Sequence, residues 1–155
     1  MIRARLIAAV TFAALLPLAA HAQEATVVAS PAAVKWRPAP PALPKGTMVA
    51  ALYGDPTKLG PFVSRTKFPA GAKVMPHTHP ADENITVLSG VLHIGFGDKF
   101  NPKKGIAIRA GGFIHNPAGT AHYAWFTTPT VIQNNAVGPF GLTYVNAAAG
   151  PAKTK

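Results

Sequence analysis

Residues 71–90 read GAKVMPHTHPADENITVLSG. His77 and His79 stand two apart and Glu83 follows four further on, inside a run that is otherwise apolar and strand-like. In extended chain, residues i and i+2 lie on one face, so both imidazoles reach a single point. The run continues to residue 96 as VLHIGF, giving two alternating apolar segments about Ser89-Gly90. A two-residue loop there predicts a hairpin pairing Val87 with Leu92, Ile85 with Ile94 and Glu83 with Phe96. Glu83, Ile85, Val87, Leu92, Ile94 and Phe96 then share a face, and all but Glu83 are apolar, so that face is the interior. An inward carboxylate costs several kcal/mol unless it is paired. The histidines are its nearest partners in sequence. The same register turns His93 outward, away from any site.

A second histidine-bearing stretch, GGFIHNPAGTAHYAWF, spans 111–126. Its Pro-x-Gly turn starts a strand at His122, the candidate fourth ligand. Three imidazoles and one carboxylate (His77, His79, His122, Glu83) suit one divalent transition ion: Fe, Mn, Ni, Cu or Zn. Such an ion would also explain a charged Glu83 in the interior. With imidazole near its reference pKa of about 6.5, proton competition predicts metal release as pH falls through roughly 6.5 to 5. Tyr123 and Trp125 alternate with His122 and should point away from the metal, into ordinary sheet packing or the interface of a homodimer. His115, on the strand before, is a candidate proton carrier beside the site. Its strand does not show which face it takes.

These residues resemble the two motifs of the cupin superfamily. Gly71, His77, His79, Glu83 and Gly90 fit every fixed position of the first. Gly111, Pro117, Gly119 and His122 fit the second, whose last position holds Phe126 in place of Asn, a departure that touches no ligand. The resemblance covers about residues 47–146. It implies an all-β, single-domain jelly-roll barrel with the metal in its mouth. It does not fix the reaction, because one fold hosts many chemistries. The stretches ALYGDPTKLGPFVSRTKFPAG and HTHPADENITVLSG also look like the zinc-binding cupin domain of some anti-sigma factors. The helical zinc domain that accompanies that regulator is not seen here, so a regulatory role of that type is not expected.

The rest of the chain agrees with this reading. From Thr47 onward, about nine short strands follow one another between Gly, Pro and Thr punctuation, and no window carries a helical period. Residues 23–46 are rich in Ala and Pro, which forbids a helix and suggests an arm or linker: a disordered leader before about residue 34, then an extended arm along a sheet edge, anchored by Trp36. Residues 147–155 form a tail. Residues 1–22 combine Arg3 and Arg5, the apolar LIAAVTFAALLPLAA and Ala20-His21-Ala22, the pattern of a secretory signal peptide cut after Ala22. That predicts a periplasmic or secreted protein with no membrane association after cleavage.

The 155 residues are 48% hydrophobic and carry a net +10, with no Cys. Thiolate metal sites and disulfides are excluded. Loss of Arg3 and Arg5 would leave 13 basic against 5 acidic residues, a net +8. The Lys and Arg residues are scattered, which argues against a nucleic-acid partner. The expected function is that of a small metalloenzyme, dioxygenase-like, acting on a small organic substrate, anionic or neutral. The alternative is a non-catalytic module that binds or senses a metal or small ligand. A storage role fits a small exported domain poorly. The shortage of further acids and bases argues against elaborate proton transfer.

Overall fold

The computed structural model describes residues 25–28 and 30–150, so the signal-peptide reading lies outside the described residues. The chain is all-β. Its strands are β1 (Arg37–Pro38), β2 (Met48–Tyr53), β3 (Gly60–Phe68), β4 (Lys73–Thr78), β5 (Glu83–Ser89) and β6 (Val91–Phe96). β7 (Ile106–Arg109), β8 (Phe113–Asn116), β9 (His122–Trp125), β10 (Thr130–Gly138) and β11 (Thr143–Tyr144) follow. They form two antiparallel sheets, one ordered β1-β2-β3-β10-β5-β8 and the other β11-β4-β9-β6-β7. This is the jelly-roll arrangement, and each inner face buries every second residue.

The core lies between the sheets. Val87, Leu92, Ile94 and Phe126 are almost fully buried there. Phe126 stacks on Phe68 with ring centroids 4.1 Å apart. The residue that departs from the cupin motif is therefore a core aromatic.

The hairpin expectation is corrected. β5 pairs with β10 and β8, whereas β6 pairs with β9 and β7 in the other sheet. Ser89-Gly90 is a corner between sheets. Gly90 has φ +76°, and a Cβ on it would meet the Pro129 carbonyl at 2.4 Å. The Val91 amide donates to Thr130 Oγ1 (3.1 Å), which fixes where the chain leaves the corner. The inward set survives because period-2 alternation is the same whether two strands lie side by side or face each other across a core. Phe96 is the exception. It is 46% exposed at the end of β6.

The arm runs along the outer edge of the six-stranded sheet, where Arg37 pairs with Val49 and Pro38 with Met48. Val34 is buried, and Lys67 Nζ sits 4.6 Å from the half-buried Trp36 ring. Leu43 packs against the core cluster, and Tyr144 donates its hydroxyl to the Ala42 carbonyl (2.8 Å).

Candidate metal centre

β4 supplies His77, and His79 follows just past its end. Strict alternation from the buried Val74 would turn His77 outward. A bulge prevents this: Val74 lies opposite Ala124 and His77 opposite His122, three residues against two. The extra residue falls at Met75-Pro76. Pro has no N–H to lose from the ladder, so it suits a bulge. His77 and His122 thus face each other across one strand pair, with ring centroids 4.3 Å apart.

The ligand-capable nitrogens of His77, His79 and His122 all lie within 4.8 Å of one another, and all three residues are buried. Each ring donates from Nδ1 to a backbone carbonyl: His77 to Met75 (2.7 Å), His79 to Gly141 (2.6 Å) and His122 to Thr120 (2.9 Å). A carbonyl only accepts, so the proton of each neutral ring sits on Nδ1 and the Nε2 lone pair is free. Phe140 stacks on His79 at 4.5 Å and fixes that ring's plane.

Glu83 opens β5 beside this cluster. Its Oε2 lies 3.6 Å from His79 Nε2 and 3.5 Å from His122 Nε2. Asn116 donates to Oε2 and Asn134 to Oε1, each at 3.0 Å. Both Asn Oδ1 atoms are buried without a partner, so the amides are committed to the carboxylate.

Charge behaviour follows from burial. Burial, reinforced by the neighbouring His122, lowers the His77 pKa to about 3. His79 is also lowered by burial, although Glu83 opposes the shift. Burial pushes the Glu83 carboxyl up, but His122, His79 and the Asn116 amide outweigh it and hold it below the ordinary range. Glu83 is ionised and His77 neutral at pH 7.

The two facing Nε2 lone pairs and the carboxylate oxygen are therefore acceptors aimed at one another. Such a set calls for a cation between its members. Two ligands each about 2.1 Å from one ion at a tetrahedral angle lie roughly 3.4 Å apart, close to the separations found. The donor set fits a metal.

His115 does not belong to the site. Its side chain is 47% exposed and engages Asn84 Oδ1 at 3.0 Å on the outer face. The next residue, Asn116, is the one that turns inward. His93 also lies outside, stacked on Trp125 at 5.1 Å. Tyr123 points away from the cluster as expected, but it is fully buried within its own chain by Phe100, and its hydroxyl donates to the Asn101 carbonyl (2.9 Å).

The cluster lines one wall of a cavity of about 440 Å³. Phe62, Phe140 and Leu142 make apolar wall, and Arg37, Pro40, Ala42 and Leu43 of the arm complete it. Sequence reading missed Asn116, Asn134, Phe140 and the arm's share of the wall.

Known structures share this fold. An acetylacetone dioxygenase from Acinetobacter johnsonii superposes with a TM-score of 0.63 at 18% identity, over 86% of this chain and 85% of that one. The polyketide cyclase RemF from Streptomyces resistomycificus gives 0.61 at 20% identity, over 76% and 84%. A cupin superfamily protein from Desulfitobacterium hafniense gives 0.52 at 16%, over 68% and 84%. No curated protein matches the sequence. The model of the ChrR cupin-like domain matches residues 24–141. The chain belongs to that family, within the cupin superfamily.

Proposed function

We propose that the chain is a metal-dependent enzyme of dioxygenase type, acting on a small organic molecule held in the barrel cavity. The observation that carries this is the convergence of free Nε2 lone pairs and an ionised carboxylate on one wall of an apolar cavity. His77, His79, His122 and Glu83 would hold the ion. A redox-active divalent ion such as iron would supply the activation of dioxygen there. Asn116 and Asn134 keep the carboxylate in place, and the backbone carbonyls keep the three rings in one tautomer. Phe62, Phe140 and Leu142 exclude water and orient an apolar substrate. The likeness in fold to an acetylacetone dioxygenase suggests diketones as first substrates to try.

The test is oxygen uptake by iron-loaded protein with a panel of diketones, phenols and small acids. Uptake with one class that is lost in His79→Ala supports the reading. Stoichiometric zinc and no turnover with any metal overturns it in favour of a binding or sensing module. One observation favours that second reading: apart from the four proposed ligands, Arg37 is the sole charged residue among the described residues lining the cavity. We further propose export to the periplasm, on the strength of the Arg3-to-Ala22 pattern. Mass spectrometry of the mature N-terminus should find Gln23 first.

A further inference from the structure

The register lays one row of side chains across the inner face of the six-stranded sheet. Arg37 lies opposite Val49, Val49 opposite Thr66, and Thr66 opposite Ile132. Directly opposed residues share a face. Thr66 and Ile132 are buried and line the cavity, so Arg37 stands on the cavity side at the sheet edge. Among the described residues its side chain takes part in no ion pair and no hydrogen bond. Glu83 cannot serve it, because that carboxylate is held by Asn116 and Asn134. The cavity thus has an apolar body with a metal-ready wall inside and, at its edge, one exposed guanidinium with no protein partner among the described residues.

We propose that Arg37 is the anion clamp of this cavity, and that its ligand is a monocarboxylate with an apolar body. This deepens the reading of the cavity as a substrate site and rests on it. A guanidinium offers paired N–H donors whose fork matches a carboxylate. The apolar wall takes the remainder of the molecule, and a cavity of about 440 Å³ is within the ordinary range for small-molecule sites. A diacid or a polyol would leave buried polar groups unpaired against Phe62 and Leu43.

The test is calorimetric binding of phenylbutyrate and its uncharged counterpart phenylbutanol to the parent protein, Arg37→Gln and Arg37→Lys. Each is measured after chelation and again with zinc. In chelated protein the carboxylate should bind about tenfold or more tighter than the alcohol. Arg37→Gln should erase that preference, and Arg37→Lys should keep part of it. Arg37 is exposed, so the melting temperatures of the variants should match the parent. Equal binding of acid and alcohol overturns the proposal. So does a preference that survives Arg37→Gln, which would make Arg37 only a charged edge residue. A preference seen only with zinc also overturns it, since the carboxylate would then be on the metal. Failure of the enzymatic reading registers elsewhere, in oxygen uptake, and leaves the chelated comparison decisive.

Discussion

Glu83 is held by the amides of Asn116 and Asn134. Asn134→Ala removes one of these donors and frees the carboxylate to turn. Zinc affinity, measured by competition with a chelating dye, should fall about 10–100-fold, the usual effect of losing a partner that orients a ligand. An unchanged affinity would show that the amide is only packing. His115→Ala, on the outer face, should leave zinc affinity unaltered and change stability by under about 0.5 kcal/mol. The four proposed ligands are legible in the sequence because their spacing is local and fixed. Asn116 and Asn134 are not, since their partner lies 33 and 51 residues away and an Asn in an alternating strand carries no mark of what it meets. Burial also changes the expected acid response. An unfolded chain protonates His77 near 6.5, whereas the folded one waits until about 3. Between those values the unfolded state binds the extra proton, so stability falls as pH drops, by about 1.4 kcal/mol per unit from this group. Chelated protein should therefore lose stability steadily as pH falls from about 6.5 toward 3, as measured by denaturant melts at several pH values. A flat profile across that range would show that His77 is not held neutral.

At the scale of the strand, the bulge in β4 decides which way His77 faces. Deleting Met75 leaves His77 two residues from Val74, so a regular strand without the bulge still faces it inward, opposite His122. Stoichiometric zinc should be retained and the far-ultraviolet signal should stay that of a β protein. Zinc content falling to background would show that the extra residue does more than set the parity of His77. Strand existence and inward faces are legible because alternation is a local property. Pairing is not, and β5 and β6 show why. Their joint pattern fits a hairpin and a corner equally, and only the Thr130 contact at Gly90, from a strand some 40 residues on, selects the corner.

Across the whole molecule, a metal bridging β4, β5 and β9 would tie the two sheets together, since β5 belongs to one and the other two strands to the second. Chelation should lower the melting temperature at pH 7.5 by an amount that grows with the logarithm of the metal concentration removed. The drop should be smaller than a wholly unpaired Glu83 would give, because the two amides remain. Identical melts with and without chelator would mean that no ion links the sheets. The arm tells a different story. It closes the cavity with Arg37, Pro40, Ala42 and Leu43, yet it joins the ladder through only two residue pairs at its edge. Barrel and wall are thus separable inheritances: a lineage could exchange residues 37–43, and with them the molecules admitted, while the strands from β2 onward and the four proposed ligands passed down unaltered.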